Sequence, residues 1–108
     1  MIRTLYFSTA HSSVNRKVVA EIVEAASTMN SKHNITGALA FNGRNFAQVL
    51  EGEESDVRQL LRNIRSDERH SGFKIIDEKQ ITSRHFPNWS MQHVDELDFS
   101  AVINAMQA

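Results

Sequence analysis

The chain has 108 residues, 41% of them hydrophobic and 23% charged, the balance of one ordinary globular domain. That length excludes a second independent core, and the composition excludes a disordered, collagenous or low-complexity chain. Lys and Arg number 12 against 13 Asp and Glu, so the net charge of -1 gives no electrostatic excess for nucleic acid or an anionic membrane. Cysteine is absent, which removes disulfides, thiolate catalysis and cysteine-ligated metals. No apolar run approaches the ~20 residues of a membrane span, and Met1 to Tyr6 has no signal-peptide core. The expectation is a soluble, cytoplasmic protein.

Thr4 to Thr9 alternates and is rich in aromatic and β-branched residues, which predicts a strand. His11 to Asn15 reads as a turn, with Ser12, Ser13 and Asn15 available as caps. From Lys17 to Asn30 the apolar residues Val19, Ile22, Val23, Ala26 and Met29 fall on one helical stripe. Ile35 to Phe41 predicts a second strand and Asn45 to Glu51 its hairpin partner, joined through Asn42-Gly43, a type I′ turn dipeptide. Glu53, Glu54 and Asp56 then place negative charge in the first turn of a second helix, with Ser55 as its cap. Val57, Leu60, Leu61 and Ile64 form the stripe of that helix, and Ser71-Gly72 is expected to close it. Phe73 to Ile81 reads as a strand whose end is poorly marked, because Asp77 to Gln80 is polar throughout. A last strand is expected around Trp89 to Val94, and Phe99, Val102, Ile103 and Met106 repeat at the spacing of a short C-terminal helix. The order β-α-β-β-α-β-β with a tail helix predicts an α+β, ferredoxin-like fold: a mixed sheet with two helices on one face.

Three polar residues interrupt the apolar pattern. Gln48 shares a strand face with Phe46 and Leu50, Asn30 lies on the apolar stripe of the first helix, and Tyr6 points to the same side as Thr4 and Ser8. A buried amide or phenol costs about 1–3 kcal/mol without a hydrogen-bond partner. These groups either satisfy one another and the backbone, or they line a site for a polar heterocycle, whose edge an amide can meet as both donor and acceptor. Ala25 and Ala26 would leave room for a flat ring between the helices. Arg62 to His70 either ends the second helix in solvent or offers a fork of donors to a ribityl chain or phosphate. The five His residues show no i, i+4 metal spacing, so no metal site is expected.

Taken in order, Leu5-Tyr6-Phe7-Ser8, Asn30 ahead of Ile35-Thr36-Gly37, Gln48-Val49-Leu50-Glu51-Gly52, Asp67-Glu68-Arg69-His70 and Phe86-Pro87-Asn88-Trp89-Ser90-Met91 form a pattern across most of residues 1–94. The chain resembles the BLUF family, sensors of blue light using flavin. The resemblance implies FAD or FMN, with FAD favoured, held without a covalent bond between the two helices of a domain spanning residues 1–95, with 96–108 as a helical tail. It implies photochemical roles for Tyr6 and Gln48, and for Asn30 a hold on the polar edge of the ring. Ile22, Phe46, Leu50 and Ile64 would be apolar walls. Arg65, Asp67, Arg69 and His70 would contact the outer edge of the ring and its tail, and Ser8, Trp89 and Met91 would be switch positions near the glutamine. Met29 stands where relatives often carry a second polar residue.

The implied function is a photoreceptor, not an enzyme, that signals to a separate effector protein and forms a homo-oligomer, with neither nucleic acid nor membrane as partner. At this length no attached effector domain is expected. The competing readings are a ferredoxin-like regulatory or oligomerisation module binding a small metabolite without photochemistry, and an acylphosphatase-type hydrolase. The second needs a Gly-rich phosphate cradle that His11 to Asn15 does not provide.

Overall fold

Ile2–Ala10 form β1, and the position of this strand organises the sheet. In the computed structural model, which describes residues 1–88, 91–94 and 99–108, β1 lies between β3 (Asn45–Gly52) and β4 (His70–Gln80), antiparallel to both. The strand β2 (Thr36–Phe41) pairs antiparallel with the other side of β3, and β5 (Gln92–Val94) joins it in parallel. The resulting order β4-β1-β3-β2-β5 is the ferredoxin-like arrangement extended by one parallel strand, a mixed sheet as expected.

The helices α1 (Arg16–Lys32) and α2 (Glu54–Arg65) cover one face. There Val19, Val57 and Leu61 pack with Ile2, Tyr6, Leu39, Phe46 and Leu50. The short α3 (Ser100–Ala105) covers the opposite face, where Phe99, Val102, Ala105 and Met106 meet Leu5, Ala38, Ala40, Ala47 and Val49. With both faces covered, the interior strand β3 is buried from Phe46 to Gly52 rather than on alternate residues.

The ends of the elements show where local signals were overridden. Asn15 does cap α1, its side-chain oxygen accepting from the Val18 amide at 3.0 Å. Ser55 does not cap α2: the N-cap is Glu53, and Ser55 lies inside the helix. Nor does Ser71-Gly72 close α2. The helix ends at Arg65 with Ser66 as its C-cap, and Ser71 and Gly72 belong to β4. The polar run Asp77 to Gln80 stays in β4, because this is an edge strand and its side chains can face solvent or ions. Arg58 of α2 grips both carboxylate oxygens of Glu78, tying helix to strand. The hairpin turn is not type I′. Asn42 and Asn45 flank Gly43-Arg44, and the positive φ sits at Gly43 (96°) and not at Asn42. The Asn42 side chain holds the amides of Arg44 and Asn45 at 3.0 and 2.8 Å, and Gly43 is the residue of the turn that takes the left-handed region. Met91 precedes β5 in a bend instead of lying within a strand; Trp89 lies outside the described residues.

Candidate functional site

Period-two alternation in β1 and β3, set in register by their antiparallel pairing, places Tyr6 directly opposite Gln48 on the helix-covered face. The phenol Oη donates to Gln48 Oε1 at 2.5 Å, and Gln48 Nε2 donates to Met91 Sδ at 3.3 Å. The amide is therefore polarised end to end, its carbonyl toward the phenol and its N–H toward a soft thioether. All three residues are buried.

In front of this pair opens a cleft of about 230 Å³ between α1 and α2. Of the residues expected to form a site, Tyr6, Ile22, Asn30, Phe46, Gln48, Ile64, Asp67, Arg69 and His70 line it. Leu50 lies behind the wall, wholly buried in the core. Arg65 stands outside, with its guanidinium 5.7 Å from the Phe73 ring centroid. Ala25, Ala26 and Met29 complete the α1 side, and Met29 is half exposed at the mouth. Leu39 and Leu60 also line the cleft and were not anticipated. The face of Leu39 was findable, because counting outward from the expected Asn42-Gly43 turn sets it opposite Phe46, on the Gln48 side of β3; its actual partner, Gln48, follows from the observed loop Gly43-Arg44.

The rim is already committed to internal bonds. The guanidinium of Arg69 chelates Asp67, with Nη2 to Oδ2 at 2.5 Å and Nε to Oδ1 at 3.0 Å. That bonding holds the Asp67 carboxyl below its usual range. His70 links three elements. Its Nε2 sits 2.5 Å from the Ile64 carbonyl, which can only accept, so this nitrogen carries the proton. In the neutral ring Nδ1 then accepts from the Ser8 hydroxyl at 2.7 Å. The imidazole is a strut from the end of α2 to β1, with its edge set against Tyr6, Phe46 and Phe73.

Burial, with the negative charge of Asp67 as a lesser cause, pushes the Tyr6 phenol well above its ordinary value. Its folded pKa is raised, so this contribution to stability is present below the ordinary tyrosine range near 10 and is lost as pH climbs beyond it. Tyr6 is the single tyrosine. A spectrophotometric alkaline titration should therefore show no phenolate near pH 10 while circular dichroism remains native, and phenolate should emerge together with unfolding.

Residues 1–92 match the BLUF family, described as sensors of blue-light using FAD. The chain belongs to the BLUF family. It is similar to the blue light- and temperature-regulated antirepressor BluF of Escherichia coli (strain K12), at 39% identity over 61 residues, 56% of this chain and 15% of that protein. It is also similar to photoactivated adenylate cyclase subunit beta of Euglena longa, at 28% identity over 99 residues, 88% of this chain and 12% of that subunit. It therefore spans only a small part of either relative. Among solved structures, BlrB in its dark state superposes with a TM-score of 0.85 at 33% identity, over 93% of this chain and 76% of BlrB. The photo-activated state of BlsA gives a TM-score of 0.83 at 29% identity, over 88% and 69%.

A BLUF domain is a sensor module, and a flavin, FAD or FMN, is its ligand. The cleft fits that group on chemical grounds. A flavin ring is flat, apolar at one end and rich in nitrogen and oxygen at the other. Here Ile22, Ala25, Ala26, Leu60 and Ile64 offer flat apolar walls, while Asn30 and Gln48 supply amides at the inner end. Replacing Asn30 by Ala should weaken flavin retention about tenfold, by loss of a buried hydrogen-bonding group. The flavin-to-protein absorbance ratio after gel filtration measures this, and an unchanged ratio would remove Asn30 from the binding site.

Proposed function

We propose that this domain senses blue light through the Tyr6–Gln48–Met91 chain and reports it to a separate protein. The single observation that carries the reading is the buried amide held between a phenol on one side and a thioether on the other. Tyr6, Ile22, Asn30, Phe46, Gln48 and Ile64 would hold and wall the ring, with Asp67, Arg69 and His70 toward its outer edge and tail. Leu50 would back the wall from the core, and Arg65 lies beside the cleft without lining it. A flavin bound there supplies blue absorption and, once excited, a one-electron oxidant beside Tyr6.

The remaining events belong to the side chains. An oxidised phenol is a strong acid, so the Tyr6 Oη proton passes to Gln48 Oε1 along the 2.5 Å bond. When the electron returns the proton returns as well, and no net chemistry remains. The amide can re-form with its ends exchanged. Its N–H end then faces Tyr6 Oη, which accepts, and its carbonyl end faces Met91 Sδ, which has no proton to donate. Met91 loses its donor, and the segment leading to β5 is the element biased by that loss. Ser8, tied to His70, and Trp89 and Met91 ahead of β5 are the proposed switch positions.

The family description supports FAD as the flavin; heating the protein and chromatographing the released pigment distinguishes it from FMN. The antirepressor relative supports a protein partner. The exposed Ile75 and Ile76 on the edge strand β4 support self-association, which light scattering measures. No helix among the described residues is long and apolar enough to cross a membrane.

The test is the visible spectrum before and after blue light. The purified protein should be yellow, and its flavin band should move to the red and recover in darkness. Gln48→Leu should bind flavin and show no such shift; a full shift in that variant would remove the amide from the mechanism. A colourless protein that takes up no added flavin would favour the metabolite-binding regulatory module.

A further inference from the structure

The light reading uses the helix-facing residues of β3 and leaves Glu51, near the end of the same strand, without a role. Glu51 is wholly buried on the α3 side. Its carboxylate accepts three N–H groups: Arg3 Nε at 2.9 Å and the backbone amides of His85 and Phe86, each at 2.8 Å. The exchange is reciprocal. The guanidinium of Arg84 donates to the main-chain oxygens of Glu51 at 2.9 Å and Asn34 at 2.5 Å, and to Thr36 Oγ1 at 2.8 Å. So the side chain of Glu51 holds the backbone of residues 85 and 86, while the side chain of Arg84 holds the backbone of Glu51. Arg3 also reaches the Ala108 oxygen at 3.1 Å, which brings the chain beyond α3 into the same network.

A carboxylate removed from water is tolerated only while its donors stay in place, so this clasp fixes residues 84–86 against the β2–β3 end of the sheet. From there the chain runs on to Met91, the acceptor of the Gln48 amide. The strand β3 thus bonds the same stretch of chain both at Glu51, through a set of short hydrogen bonds, and at Gln48, through a soft one to sulfur. We infer that Glu51, together with Arg84, is a positioning residue of the light switch: the clasp holds one end of the segment still, so that loss of the Gln48 donor displaces Met91 and β5. This rests on the proposed exchange of the Gln48 amide.

The experiment uses the flavin-loaded full chain as wild type, Glu51→Gln, Arg84→Ala, Met91→Leu and the Glu51→Gln/Met91→Leu double variant. Two signals are read: the dark recovery of the flavin band, and the methyl resonances of labelled methionine, of which the chain has four. Glu51→Gln and Arg84→Ala should keep the light-induced shift, move the Met91 methyl resonance in the dark, and change the recovery rate by about threefold to tenfold. Glu51→Gln should add nothing once Met91 is Leu, because both act through one contact. A Met91 resonance and recovery rate at wild-type values in both single variants would overturn the inference, and so would rate effects that multiply in the double variant. If Glu51→Gln fails to fold, Arg84→Ala decides alone, since it leaves the buried carboxylate and its three donors in place. If wild type shows no light-induced shift, the light reading fails instead, and the dark Met91 resonance still reports whether the clasp positions that residue.

Discussion

Replacing Tyr6 by Phe should give a yellow protein whose spectrum no longer moves under blue light. The substitution keeps the ring that packs 4.8 Å from Phe73 and removes only the hydroxyl bonded to Gln48 Oε1. The walls of the cleft are unchanged, so flavin content should match wild type. The proton that would pass to Gln48 is gone, and with it the means of exchanging the amide ends. Difference spectra before and after illumination read this directly. A red shift of wild-type size in the variant would remove Tyr6 from the mechanism. The same bond bounds the size of the signal. Carrying a two-state element from 1:99 to 99:1 takes about 5.5 kcal/mol, whereas one rearranged buried hydrogen bond is worth about 1–3 kcal/mol. Light should therefore shift the population only in part, unless contacts around Met91 cooperate.

Gly37→Ala should have the largest effect on stability. A Cβ at Gly37 would lie 2.0 Å from the main-chain oxygen of Val49 in the neighbouring strand. No rotamer relieves a clash with backbone, so β2 and β3 must separate, and Leu39 and Gln48, paired two residues further on, separate with them. Overpacking of this kind costs about 3 kcal/mol or more. A thermal melt should show Tm lowered by at least about 10 °C, with loss of bound flavin because the cleft wall and the switch amide share that strand pair. A melt within two or three degrees of wild type, at about the ordinary scatter of such measurements, would show that the strands part at little cost.

The residues at the centre of the site were legible because periodicity is local. Gln48 between Phe46 and Leu50, Asn30 on the stripe of α1 and Tyr6 in step with Thr4 and Ser8 each break a pattern that a few neighbours define. The two long helices and the β-α-β-β-α-β order follow from the same periodicities. Element ends were less legible. Ser71-Gly72 has the composition of a helix stop, yet pairing of β4 along β1 takes those residues into the sheet. Asn42-Gly43 has the composition of a type I′ turn, yet the Asn42 side chain accepts from the amides of Arg44 and Asn45, with Gly43 as the left-handed residue.

From its own order of residues the chain determined which side chains face which way on each strand and helix, because side-chain direction depends only on local backbone geometry. That was enough to group the amide with Phe46 and Leu50, to group the phenol with Thr4 and Ser8, and to leave small residues on the apolar stripe of α1. Tertiary structure alone decided that Tyr6 stands opposite Gln48, that His70 uses both nitrogens within the protein, and that Glu51 is buried and holds the segment leading to Met91. Each of these joins residues more than 30 positions apart or elements packed across a face; even the His70–Ile64 bond, short in sequence, depends on where α2 lies over the sheet. Such contacts arise from strand order and register, which periodicity of a single segment cannot express.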